Sequence, residues 1–435
     1  MTRDPRDHYC AIDFGTSNSA IGVPGADGGA MRLVELEPGH TTMPTAVFYR
    51  ADVPEHGPEP WRLYGRAAVA AYVDGLDGRL MRSMKSILGS ALVEQTTDVG
   101  GGRGVKYLDV IGGYLRHLKA LAEAQAGGPI VRAVLGRPVY FVDDEPERDT
   151  AAQAALERAA RQVGFTEVAF QFEPIAAALD HERGVAGEEL VLVADIGGGT
   201  SDFSLVRVGP ARAARLERKD DILASHGVHV AGTDFDRRVE LAAILPLLGY
   251  GALGVARPGE APREVPSGIY FDLATWHLIN TAYVPARLSE WRGMRSWFAD
   301  ERLHRRLMAV LENRWGHALA AAAEQAKIDV AMHGRATIDL DVVEAALGAT
   351  LDEATAAAVL EADLQRIVDA AHETARRAGV AGERVDALYF TGGSTGLSAL
   401  VQRIAAGFPR AAVVRGDRFA SVASGLAVYA QRLYG

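Results

Sequence analysis

The chain has 435 residues, 48% of them hydrophobic and 23% charged, with a formal net charge of −10. That length exceeds one compact core and predicts two or more domains of an ordinary globular protein. The acidic balance argues against broad nucleic-acid binding, and no stretch approaches the ~18 uninterrupted apolar residues of a membrane span. The opening MTRDPRDHYC is charged and lacks the apolar centre of a secretory signal. The single Cys10 excludes an internal disulfide and fits a reducing cytoplasm; it reads as a buried strand residue rather than a catalytic thiol.

In chain order, residues 8–50 read as β-rich, with TAVFYR as one strand, and 51–60 as a proline-rich loop. From GRAAVAAYV to LMRSMKSILGS the pattern turns helical, and TTDVGGGRGVKY is a glycine-rich loop. KYLDVIGGYLRHLKALAEAQAGG predicts an amphipathic helix that stops at glycines. A strand, IVRAVLGRPVYF, precedes the helix PERDTAAQAALERAARQVG. The acids Asp143, Asp144, Glu145, Glu147 and Asp149 suit the N-terminus of that helix better than a metal. VAFQFEPIAAALDHE gives a strand and then a helix, with Pro174 in its first turn and Glu173 at the strand end, pointing into whatever cleft lies there. GVHVAGTDFDRRVELAAIL is a turn into a helix, and residues 249–300 are rich in Pro, Gly and aromatics. ERLHRRLMAVLENRWGHALAAAAEQAKIDVAM predicts one long helix whose arginine-rich front half is a solvated face. ATIDL is a strand, 352–379 a helix, RVDALYFTGGSTGLSALVQRIAAGF a strand, glycine turn and helix, and RFASVASGLAVYAQRLYG a closing helix.

Two segments carry chemistry. In VLVADIGGGTSDFSLV, Gly197, Gly198 and Gly199 join two strand-like runs, with Asp195 and Asp202 on either side. Consecutive glycines cost backbone entropy and are placed where something approaches the main chain. Their bare N–H groups suit phosphate oxygens. Aspartates beside phosphate become sensible when a cation such as Mg²⁺ lies between them; taken alone, the segment also fits a tight hairpin with solvated acids. AIDFGTSNSAIGV repeats the pattern around Asp13 and Gly15. The repeat is too distant for a solenoid and predicts two similar lobes, each with a phosphate hairpin.

Other nucleotide and metal patterns are missing. No Gly-Lys dipeptide occurs, which excludes a P-loop, and no GxGxxG opens a helix after a strand. His226 and His229 lie in strand-like sequence on opposite faces, and the scattered histidines with one cysteine give no zinc set.

Together these segments resemble the superfamily of actin, sugar kinases and seventy-kilodalton heat-shock ATPases. The nearer likeness is to the nucleotide-binding half of DnaK-type chaperones, in particular the short YegD-like branch. The resemblance implies an α/β, two-lobed actin-like ATPase fold, with duplicated ribonuclease-H-like domains around a central nucleotide cleft. It implies lobe I over 1–188, with a small subdomain at about 39–105, and lobe II over 189–417, with a small subdomain at about 233–332. Residues 418–435 would form a helix packing back on lobe I.

DFGTSNS looks like the first phosphate motif, implying that Asp13 holds Mg²⁺ through water and that Gly15, Thr16, Ser17 and Asn18 meet the phosphates. MKSILG resembles the lysine segment and implies that Lys85 helps place the attacking water. FEPIAAAL is similar to the Glu-Pro helix start, which puts Glu173 in the outer shell of the metal. DIGGGTSD implies Asp195 near Mg²⁺, Gly197, Gly198, Gly199 and Thr200 on phosphate, and Asp202 orienting water. AGTDFD implies Gly232 near ribose and phosphates, EQAK implies Glu324 and Lys327 on the nucleoside, and TGGST implies Gly392, Gly393 and Ser394 beneath the base. Taken singly, Lys85 could be a solvated charge, Glu173 a helix-start acid and TGGST a packing turn; their joint occurrence in family order overrides this.

Two departures carry consequences. Relatives commonly place arginines where this chain has Ile328 and Gly396, and those arginines sandwich adenine. Losing both could cost about 1–4 kcal/mol of stacking, so the expectation is weaker, less adenine-selective binding. The sequence also stops at Gly435, where DnaK-type chaperones continue into a peptide-binding domain, so that domain is expected to be absent. The expected function is a Mg²⁺-dependent ATP/ADP-binding switch with slow hydrolysis, reporting to a protein partner or client. Rivals are a small-molecule kinase, for which no acceptor base is evident, an actin-like filament former, and a nucleotide-sensing scaffold without turnover.

Overall fold

The computed structural model describes residues 8–25, 30–53, 61–100, 102–142, 145–255, 261–416 and 420–435, without the side chain of Asp180. Asp143 and Asp144, assigned above to a helix N-terminus, lie outside the described residues. The chain divides into two units. The first is Met1–Gly227 with Ala370–Thr395 and Ile404–Gly435; the second is Val228–Asp369 with Gly396–Arg403.

The first unit contains two five-strand paths built to one plan. Strands β1 (His8–Phe14), β2 (Asn18–Pro24), β3 (Met31–Leu33), β4 (Ile130–Arg137) and β5 (Glu167–Phe172) are arranged in the order β5-β4-β1-β2-β3. Strands β6 (Glu189–Ile196), β7 (Ser201–Val208), β8 (Ile222–Val228), β9 (Ala387–Thr391) and β10 (Ala412–Arg415) follow the order β8-β7-β6-β9-β10. In each path the first strand pairs antiparallel with its hairpin partner and parallel with the fourth, and the fourth pairs parallel with the fifth. Helices follow the third, fourth and fifth strands in both: Tyr107–Ala126, Pro146–Gln162 and Glu173–Glu182, then Glu353–Arg377, Ser398–Ala406 and Ser421–Tyr434. The duplicated α/β fold expected from the sequence is present.

Strand alternation decides where the aspartates point. Cys10, Ile12 and Phe14 pack with Leu115, Leu118 and Leu156 of the first two helices. Tyr9 and Ala11 face the other way, into a cluster that also takes Val191 and Val193 of β6, Ile175 and Ala177 of the Glu173 helix, and Leu426 of the last helix. With a period of two, Asp13 continues the row Tyr9–Ala11 and Asp195 continues Val191–Val193. The two acids therefore end rows that share one core. A one-residue slip would put Phe14 or Ile196 there instead. The helices Glu173–Glu182 and Ser421–Tyr434 pack on one another, and a Cβ on Gly425 would lie 1.9 Å from the Ala176 carbonyl oxygen. Only glycine permits that approach.

Two sequence expectations are corrected. LMRSMKSILGS is not helical: Gly78–Arg82 is a strand paired with Ala46–Arg50, Ser83 turns left-handed at φ 54°, and Met84–Ile87 is a single 3₁₀ turn. Pairing with a neighbouring strand overrides the local helical spacing. In the second unit, the long helix expected over 301–332 is two, Glu301–Glu312 and Gly316–His333. Arg314 adopts φ 58° between them. Gly316 donates its N–H to the Tyr283 hydroxyl at 2.8 Å, and a Cβ there would lie 2.5 Å from the same oxygen. No described helix is long and apolar enough to cross a membrane.

Candidate functional site

The two hairpin turns differ in why they use glycine. At Gly15 a Cβ would lie 2.2 Å from the Asn18 carbonyl oxygen, so the β1–β2 turn cannot close around any other residue. The Ser17 carbonyl accepts from the Thr45 N–H at 2.9 Å, which anchors that turn. In the β6–β7 turn, the Gly197 N–H donates to the Thr200 carbonyl at 3.0 Å. Yet a Cβ on Gly197 would make only ordinary contact, and one on Gly199 would meet nothing. The protein leaves space beside this backbone, as a ligand approaching the main chain requires. The Thr200 hydroxyl donates to Asp202 at 2.8 Å, and Asp202 is exposed. Thr16 and Ser17 are half-buried, and Asn18 is exposed.

Four of the sequence-predicted residues gather at the strand ends. Lys85 donates to Glu173 at 2.5 Å, with side chains 10% and 16% exposed. Glu173 begins its helix directly after β5, with Pro174 in the first turn, as expected. Burial, then the Glu173 carboxylate, push Asp13 up to about 7; Asp195 adds to the rise and Lys85 opposes it. Asp195 also reaches about 7, first through burial and then through Asp202 and Glu173, again opposed by Lys85. Burial is the largest single effect on Lys85 and would lower it. Glu173, Asp13 and Asp195 together outweigh burial and hold its pKa above the ordinary value. The cluster is short of positive charge.

The TGGST segment abuts the second hairpin. Gly392 has φ 89°, and a Cβ there would lie 2.4 Å from the Ile196 carbonyl oxygen and 2.8 Å from Asp195 Oδ1. The Ser394 hydroxyl donates to the Gly197 carbonyl at 2.8 Å, and Thr395 Oγ1 donates to the Gly392 carbonyl at 2.7 Å. Gly393 is exposed at the tip.

Gly232, Glu324 and Lys327 belong to the second unit. There Lys327 Nζ lies 2.6 Å from Asp236 Oδ1 and 3.4 Å from the Gly232 carbonyl oxygen, to which it donates. Glu324 is exposed, and Ile328 is 38% exposed.

Sequence reading missed two glycines. A Cβ on Gly136 of β4 would lie 3.3 Å from Glu173 Oε1, and one on Gly227 would lie 2.4 Å from Asp202 Oδ1. Glycine inside a strand pattern is the signal that could have found them. Among the described residues, no group of three or more His, Cys, Asp or Glu side chains is arranged to ligate a metal directly.

A duplicated α/β fold with an aspartate ending the first strand of each half, and a lysine–glutamate pair beside them, defines the class. Residues 9–242 match the family described as Hsp70 protein, and the chain belongs to that family. Its fold is the actin-like ATPase fold of that family. The matched span contains Asp13, Lys85, Glu173, Asp195, Asp202 and Gly232; Glu324, Lys327 and Gly392–Ser394 lie beyond it. Among curated relatives, the chain is similar to a chaperone protein HscA homolog of Aromatoleum aromaticum. The two are 31% identical over a 259-residue alignment that covers 55% of this chain and 38% of that protein. HscA homologs of Pseudomonas fluorescens, at 31% over 252 residues, and of Azoarcus sp., at 29% over 251 residues, are similar. The match spans only 36–38% of these relatives' own length.

Proposed function

We propose that this chain binds ATP and ADP with Mg²⁺ and acts as a slow ATP-hydrolysing switch, in the manner of the nucleotide-binding half of Hsp70 chaperones and their short YegD-like branch. The observation that carries the reading is the charge-poor meeting of Asp13, Asp195, Glu173 and Lys85 beside a glycine turn with open space. Mg²⁺ fits this donor set: two half-buried carboxylates pushed up to about 7 have Lys85 alone to offset them and Glu173, and magnesium commonly keeps several waters between itself and such carboxylates. When bound, it would neutralise charge developing on the phosphates.

The chain's own groups would do the rest. Backbone N–H groups of Gly15–Asn18 and Gly197–Thr200 would hold phosphate oxygens in fixed positions. Lys85, oriented by Glu173, would hold the attacking water against the terminal phosphate. Asp202, steadied by Thr200, would orient that water or take its proton. Gly232, Glu324 and Lys327 would meet ribose and nucleoside, and Gly392, Gly393 and Ser394 the base. The lobe division at 188/189, a cytoplasmic setting and a protein client or partner belong to the same proposal. The relatives' name, chaperone, supports the last of these.

Single-turnover hydrolysis in wild type, Lys85→Ala and Asp13→Asn tests the reading. Cleavage in wild type that is lost in both variants is expected. Equal binding by all three with no cleavage in any would remove the enzyme and leave a nucleotide-sensing scaffold.

A further inference from the structure

Glu240 opens a π-helical turn, Glu240–Ile244, directly after the helix Gly232–Val239. Pro246 accounts for the widening, because it has no N–H to donate back to Ala242 and the regular ladder must end. The turn leaves Glu240 beside the apolar cluster of Val239, Ile244 and Leu245. There it is 1% exposed, and its Oε1 has no hydrogen-bond partner. A carboxylate stripped of water and donors gives up its charge by keeping a proton. Burial, then Asp236, raise Glu240 well above the ordinary glutamate range.

Asp236 stands four residues earlier, one turn away on the same face. Its Oδ1 lies 2.6 Å from Lys327 Nζ, so Asp236 already has a cationic partner, and its side chain stays 19% exposed. A buried carboxyl group without a donor is satisfied when it keeps a proton and gives it to a neighbouring carboxylate. The helix Gly316–His333, which bears Lys327, packs against both the Gly232 helix and the π turn. Of the charged groups on these elements, only Asp236 acts on Glu240, whereas Lys327, Glu324 and Asp234 act on Asp236.

We infer that Glu240 is a positioning residue: as a neutral acid it donates a hydrogen bond to Asp236 and so fixes the carboxylate that holds Lys327 toward the nucleoside. The inference rests on the proposed reading of Lys327 as a nucleoside contact. No proton leaves the pair during function; it stays on Glu240.

The test compares wild type, Glu240→Gln, which keeps a neutral donor, and Glu240→Leu, which removes it. Carbon-13 NMR of the side-chain carboxyl groups in the nucleotide-free full chain should show Glu240 protonated at neutral pH. The Asp236 resonance should be nearly unchanged in Glu240→Gln and displaced in Glu240→Leu. With Mg-ATP, calorimetry should give Glu240→Gln an affinity within about twofold of wild type and Glu240→Leu one about tenfold weaker. An ionised Glu240 at neutral pH, or equal behaviour of the Gln and Leu variants, overturns the inference. Failure of wild type to bind nucleotide would instead sink the functional reading, and the Asp236 resonance would still decide the hydrogen bond.

Discussion

Lys85 in the first unit and Lys327 in the second each pair with one carboxylate that has a further acid beside it, but these acids arrive by different routes. Around Lys85, Asp13, Glu173 and Asp195 arrive from β1, a helix start and β6, three segments far apart in sequence. Around Lys327, Asp236 and Glu240 come from one continuous helical run. The first cluster borders an exposed turn at Gly199 and an exposed Asp202. In the second, Glu240 is sealed from water. An acid-rich cluster beside an open turn can take its missing charge from a ligand, whereas a sealed acid must take it from a proton. On the proposed reading, the same residue types serve a binding role in one place and a positioning role in the other.

The largest effect should come from breaking the first cluster. Lys85→Ala removes the only cation among the described residues that acts on Asp13 and Asp195. It should lower single-turnover hydrolysis by about a hundredfold or more. An unchanged rate would mean that the cluster is structural. Next in size is Gly392→Ala, which forces a side chain to φ 89° with its methyl 2.4 Å from a carbonyl oxygen. Urea unfolding should register a loss of about 1–3 kcal/mol.

The second cluster predicts a pH dependence with a definite sign. An acid raised in the folded state contributes stability that is fully present below its unfolded pKa, about 4.3 for glutamate, and is lost as pH rises through the folded value. Glu240 is raised, and Asp236 is pushed up to about 6, chiefly by burial. Wild-type stability should therefore fall with rising pH, by up to about 1.4 kcal/mol per unit for each proton. Urea midpoints across pH should show a shallower fall in Glu240→Gln; equal slopes would remove Glu240 from the account. Smallest is Ile328→Arg, which restores a stacking cation at an exposed position. It should tighten ATP binding by about 0.5–2 kcal/mol, with a gain in preference over GTP.

Much of the first cluster was legible because its signals are local: aspartate, glycine turn and strand alternation lie within a dozen residues of one another. Glu173 was legible from the proline after it. Lys85 was found by its motif, but its segment was misread, since strand pairing with Ala46–Arg50 and a left-handed Ser83 are tertiary choices. The helix break at Arg314 escaped because Asn313–Trp315 lacks Pro and Gly, and what seats it is Tyr283, thirty-three residues away. The Gly392–Asp195 approach joins segments with no sequence relation. Glu240 was invisible for a different reason. Nothing local in VELAAIL marks it, and its burial beside the π-helical turn is visible only in the fold.

The paired strand-end aspartates are best tested by titrating ATP, with and without Mg²⁺, into wild type and the Asp13→Asn/Asp195→Asn double variant by calorimetry. Mg²⁺ should strengthen binding to wild type, and that strengthening should vanish in the double variant. The same Mg²⁺ dependence in both proteins, or no nucleotide binding by wild type, would contradict the account.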